Sequence, residues 1–125
     1  MSLNQHEKEK LWREYKYEVM WHSQAHYNQI RSVMKDNIEG EVLQRLIDEA
    51  LALPPSKGAV INTFDHMWGY FKKEADDTEK NRHQTLKADF ESGKTTSDEL
   101  LSFIYTLATK YQSKYLLNSS ILKNA

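Results

Sequence analysis

The chain contains no cysteine. That removes disulfides, thiolate metal centres, iron–sulfur clusters and cysteine nucleophiles from its own chemistry. Proline occurs twice and glycine four times, too little turn material for a protein built from hairpins. Long apolar runs are missing as well: none approaches the roughly 20 residues that cross a bilayer as a helix. Residues 1–10 are polar and hold no signal-peptide core. A cytoplasmic protein that meets no membrane is the expectation. Neither sign of charge is in excess, with 17 basic and 18 acidic residues and a net charge of −1. A broad basic surface, the usual mark of a nucleic-acid-binding domain, is therefore not expected. A local one is allowed: residues 56–74 carry three bases and two acids, whereas residues 37–55 carry four acids and one base.

What is present points to helix. The 125 residues suit one domain with its own hydrophobic core, and Leu, Glu, Lys, Ala and Gln outweigh Val, Ile and Thr. Residues 7–36 read as one long helix, with Trp12, Tyr15, Val19, His26, Ile30 and Val33 on one face and Met20, Tyr27 and Met34 in a parallel row. A second helix runs from about Glu41 to Leu53 and stops at Pro54-Pro55. A third spans about Ala59 to Glu74, with Val60, Phe64, Met67 and Phe71 inward. Asp76-Asp77-Thr78 caps a fourth, mostly polar helix that reaches Phe90 with only Leu86 and Phe90 on its apolar face. Thr96 and Glu99 have the capping-box spacing and open a fifth, carrying Leu100, Ile104, Leu107, Ala108 and Tyr111 inward. Residues 114–125 are expected to form one short turn and a frayed tail. The expected fold is an all-α compact bundle of about five helices with a long N-terminal helix, a single helical domain over residues 1–125.

The third helix carries the clearest polar signal. At 100° per residue, Asn62, His66, Gly69 and Lys73 fall in one stripe opposite the core stripe. A glycine inside a helix weakens it by about 1 kcal/mol relative to alanine and commonly lets a ligand or another backbone come close. The functional reading is a recognition surface; the plainer reading is a helix packed on Gly69. On the first helix, His22 and His26 stand four apart, a spacing that can place two imidazoles on one metal. No glutamate of the HExxH kind lies between them, and packed, hydrogen-bonded histidines or an anion site fit better than a metal. Tyr15, Lys16, Tyr17, Trp21 and Tyr27 interleave aromatic and basic groups; such groups can stack bases and meet phosphates, though most of these rings are expected in the core. Ser23, His26 and Asp65 can be drawn as a triad, but no nucleophile-elbow sequence surrounds Ser23. The isolated Gly58 and Gly69 form no nucleotide loop.

Two segments resemble a known family. Tyr15-Lys16-Tyr17, then Met20-Trp21-His22-Ser23, then Tyr27 is similar to the HKY…MAHS…Y block of YbgA-like domains. Lys57-Gly58, then Asn62, His66 and Gly69-Tyr70-Phe71-Lys72-Lys73 is similar to the RG…N…H…GYFKK block of the same family. The resemblance covers about residues 8–117, and the second block is the more specific. Tyr15 stands where the family usually has histidine, and Lys57 where it has arginine. In many relatives this domain follows a cysteine-rich domain that looks like an iron–sulfur desulfidase acting on thiolated uracil or uridine. The resemblance implies an RNA-holding accessory domain, most naturally for tRNA or another phosphate-bearing ligand, serving a separate desulfidase-type or RNA-modifying protein. In that setting Lys16, Lys57, Lys72 and Lys73 would face phosphates. His22, His26, Asn62 and His66 would give directional hydrogen bonds, and Ser23, Gly69 and Tyr70 would belong to the same binding surface. No cofactor and no metal are called for. Two alternatives stand beside it: a small acid–base enzyme using His22 and His66, which needs both imidazoles in one pocket, and a protein-interaction or homodimerisation domain presenting Trp21 or Trp68. The sharpest expectation is geometric. The two blocks should converge, bringing His22 or His26 beside His66 and Lys73 in one electropositive groove.

Overall fold

The computed structural model describes residues 3–123. Among them the chain forms eight helices: α1 (Gln5–His22), α2 (Gln24–Met34), α3 (Gly40–Leu51), α4 (Lys57–Trp68), α5 (Asp77–Glu91), α6 (Ser97–Lys110), α7 (Lys114–Leu117) and α8 (Ser120–Lys123). The fold is all-helical, as expected, but the count is eight rather than five. Two differences account for it.

The expected first helix is two. Ser23 adopts an extended backbone, φ −157° and ψ 110°, and closes α1 while opening α2. Its Oγ accepts from the His26 amide, which satisfies one of the free N–H groups at the start of α2. The apolar spacing runs on through the break, because Trp12, Tyr15, Val19, Ile30 and Val33 all still pack around α3. Periodicity alone could not register it. The second difference is at the C-terminus. Residues expected to fray form α7 and α8 instead, and Leu116, Ile121 and Leu122 are buried.

Other boundaries follow their signals. Asn37 takes a left-handed φ of 53° just past α2, where asparagine is among the few residues that accept it. Asp76 and Glu79 form a reciprocal capping box at α5; Ser56 caps α4 and Thr96 caps α6. At α6 the Thr96 side chain accepts from the Glu99 amide.

The core has two compartments that share α1. Val19 joins Ile30, Leu43, Leu46, Ile47 and Ala50 in a small cluster with α2 and α3. Tyr17, Met20 and Trp21 join the main cluster, where Phe64, Met67, Phe71, Ile104 and Leu107 are almost fully buried. Helix α1 therefore lies between α3 on one side and α4 and α8 on the other. Lys8 fastens its start: only 6% exposed, its ammonium donates to Asn37 Oδ1 at 2.9 Å and to the Ile38 carbonyl at 2.8 Å.

Candidate functional site

A concentration of positive charge lies where the first half of α1 meets α7 and α8. Lys10, Arg13 and Glu14 project from α1 at three- and four-residue spacing, which sets them on one face. Lys114, Tyr115 and Asn118 come from α7 and its end, and Lys123 from α8. Together they line a cleft of about 540 Å³. Four cations face one acid there, and that acid, Glu14, lies 3.8 Å from Lys123. The short helices hold their lysines in place because Leu116, Ile121 and Leu122 anchor them to the core.

Beside the cleft stands a group of tyrosines. The Lys16 ammonium lies 5.3 Å from the Tyr17 ring centroid and 5.4 Å from that of Tyr115, over both faces. Tyr70 meets Tyr17 edge-on at 6.2 Å and Tyr115 at 5.9 Å, and the Tyr17 and Tyr70 hydroxyls are hydrogen-bonded at 2.7 Å. Burial, and then the bond to Tyr70, push the Tyr17 phenol well above its ordinary pKa, so it stays protonated. Tyr70 is 43% exposed and offers its ring to solvent. The cleft and the rings form one basic, aromatic surface, able to neutralise phosphates and stack flat groups. Lys16 and Tyr70 were legible in the sequence. Lys10, Arg13, Lys114, Tyr115 and Lys123 were not selected; the only signal for the first two was their spacing ahead of Lys16.

The other selected residues are placed differently. The two family blocks do converge, through Tyr17 with Tyr70 and through Gln24, whose side-chain oxygen accepts from the Asn62 amide. The histidines take no part. His22 Nδ1 is 2.6 Å from the Leu53 carbonyl, and His26 Nδ1 is 2.9 Å from Ser23 Oγ with Nε2 3.7 Å from Glu49. Both imidazoles are thus engaged towards α3 and its end. Among the described residues no three His, Asp or Glu side chains gather as a metal site. His66 is exposed on α4 and is not part of the cavity that His22 lines. That cavity carries Glu18 and Asp98 and no lysine or arginine, so it is acidic rather than electropositive. An acid–base pair of His22 and His66 has no common pocket there.

The stripe through Gly69 ends early. Helix α4 stops at Trp68, and Gly69 is its C-cap. The chain continues in turns bonded from residue i to i−3, Tyr70 to Met67, Phe71 to Trp68 and Glu74 to Phe71. These advance about 120° per residue rather than 100°, which removes Lys73 from the predicted row. A Cβ on Gly69 would meet only the carbonyls of His66 and Asp65, at 3.1 and 3.7 Å; no neighbouring segment lies over it. Lys72 and Lys73 are exposed just beyond Tyr70. Lys57 donates to the Glu91 carbonyl at 2.8 Å, a lysine at the negative end of α5. Trp21 and Trp68, the candidates for an exposed apolar patch, are buried at 6% and 8% exposure.

A buried polar group also escaped the sequence reading. His83 stacks on Trp68, 4.5 Å between centroids and 8° from parallel, and on Phe64 at 5.1 Å. Its Nε2 is 3.0 Å from Asp65 Oδ1, and Lys87 is 2.6 Å from the other carboxylate oxygen. Burial lowers the His83 pKa below its ordinary 6.5, against the pull of Asp65. The signal was present as His83, Leu86 and Phe90 at three- and four-residue spacing. Three residues of α5 thus face inward rather than Leu86 and Phe90 alone.

Residues 16–124 match the family described as "Protein of unknown function (DUF1722)". No match was found among curated proteins or among solved structures. The matched span takes in nearly the whole chain, which therefore belongs to this family.

Proposed function

We propose that this DUF1722 domain is an RNA-binding module, with tRNA as its target, which presents RNA to a separate desulfidase or RNA-modifying enzyme. The observation that carries this reading is the cleft of Lys10, Arg13, Lys114 and Lys123 set against the Lys16–Tyr17–Tyr70–Tyr115 cluster. Cations at several points along a groove suit a polyanion, and the exposed ring of Tyr70 beside them suits an unstacked base. The partner enzyme is inferred from the family resemblance; the chain itself brings no cysteine for sulfur chemistry.

Titrating folded protein with tRNA by filter binding at low and moderate salt tests the proposal. Each phosphate contact to a single strand releases about 0.7 of a counterion. Four engaged cations should then give a log–log salt slope of roughly −3. Absence of binding at both salt concentrations would end the RNA reading.

A further inference from the structure

We infer that the cavity lined by the second half of α1, α6 and α8 takes a single guanine base of the bound RNA; this inference rests on the RNA reading above. The cavity measures about 590 Å³, within the range of small-molecule pockets. Glu18, His22 and Ser120 line it, together with Trp21, Tyr105 and Asp98. Glu18 Oε1 and Ser120 Oγ are both buried without any hydrogen-bond partner, and Ser120 as a residue is 2% exposed. Buried oxygens without partners are uncommon, because each forfeits the hydrogen bonds that it had in water. A turn of either side chain towards the cavity would let a ligand that donates hydrogen bonds restore them.

The polarity of the cavity selects the ligand. The Leu53 carbonyl can only accept, so His22 Nδ1 must carry the proton that it shares with it. In the neutral ring this leaves Nε2 as an acceptor. The carboxylates of Glu18 and Asp98 add more acceptors, with no lysine or arginine opposite. Phosphate is therefore repelled, and a body carrying N–H groups is favoured. Trp21, and Tyr105 at 48% exposure, supply aromatic walls that suit a flat body.

Among the bases, guanine fits a carboxylate best. It presents two adjacent donors, the ring N–H and the exocyclic amino group, which match the two oxygens of one carboxylate. Uracil sets its single ring N–H between two carbonyls, which a carboxylate repels. Adenine and cytosine each place a ring acceptor next to their amino group.

The position agrees with the chemistry. Glu14 of the cationic cleft and Glu18 of this cavity are one turn apart on α1, and α8 walls both, through Lys123 and through Ser120. A strand whose phosphates lie in the cleft has a base beside the acidic cavity.

The test compares three probes by fluorescence anisotropy and competition: a guanine-bearing hexaribonucleotide, a uridine-only hexaribonucleotide, and free guanosine. The unmodified protein should prefer the guanine hexamer roughly tenfold, the scale of one bidentate contact to a base. Glu18→Gln should erase that preference and leave the affinity for the uridine hexamer unchanged. Tyr105→Ala, at an exposed position that does not endanger folding, should weaken the guanine hexamer roughly fivefold through lost stacking. Equal binding of both hexamers, or a preference that survives in both variants, overturns the guanine site and leaves the RNA reading standing. Free guanosine binding as tightly as the guanine hexamer overturns the link to RNA. Failure of both hexamers to bind removes the RNA reading as well.

Discussion

Two concavities lie one helical turn apart along α1, and their characters are opposite. One gathers Lys10, Arg13, Lys114 and Lys123 around a single carboxylate; the other gathers Glu18 and Asp98 with no cation at all. A net charge of −1 describes neither. Charge averaged over a chain conceals a surface that is sorted by sign over a few ångströms, and the sorting decides which part of a ligand can sit where. Besides α1, the two share α8, which has only four residues yet forms a wall of both.

The largest effect should come from that wall. Leu122 is 1% exposed, and Leu122→Ala should cost about 3 kcal/mol of stability, read as a lower urea midpoint. If α8 positions both concavities, hexamer binding and guanine preference should fall together in the folded fraction. Loss of one without the other would show that the two do not depend on a common wall.

Next in size is reversal of charge in the cleft alone. Lys114→Glu with Lys123→Glu should weaken tRNA binding roughly a hundredfold at low salt while preserving any preference for guanine. An unchanged tRNA affinity would dissolve the contrast between the two concavities.

A smaller effect concerns pH, and it separates fold from binding. His83 has a lowered pKa in the folded state, so the unfolded chain binds more protons as pH falls below 6.5. Stability should therefore drop as pH falls through and below 6.5, and hold above it. Thermal melts at pH 5.5 and 7.5 should differ, and His83→Phe should reduce the difference. His83 lines neither concavity, so this loss should weaken both alike. A melting temperature that does not move with pH would refute the assignment.

The smallest effect should follow Gly69→Ala. With no segment over it, stability should change by about 0.5 kcal/mol or less, and tRNA affinity should not change. The position of Gly69 at the end of α4 explains why alanine should be tolerated.

The contrast between the two concavities also explains how much could be read from the sequence. Apolar rows within one helix were legible: Val60, Phe64, Met67 and Phe71 are all buried, as are Leu100, Ile104, Leu107 and Ala108. So were stops written in local chemistry, such as Pro54-Pro55 and Asn37. The Ser23 break was not, because it leaves the apolar rows on the same side. Gly69 misled because i to i−3 turns follow α4, and a helical wheel keeps turning at 100° where the chain does not. The cationic cleft was hidden for another reason: Lys10 and Lys123 are far apart in sequence, and only packing of the last helices against α1 brings them together. The acidic cavity likewise depends on contacts among α1, α6 and α8 that no spacing encodes.

Ser23 has one more consequence, visible on the clock of hydrogen exchange. The first amides of any helix lack a carbonyl one turn behind them, and α2 begins in the middle of what is otherwise a thirty-residue helical stretch. Deuterium should enter at Gln24 and Ala25 well before it reaches Val19 or Ile30, both fully buried on either side. The stretch should therefore fluctuate as two jointed rods, and the joint lies directly beside His22, which lines the acidic cavity.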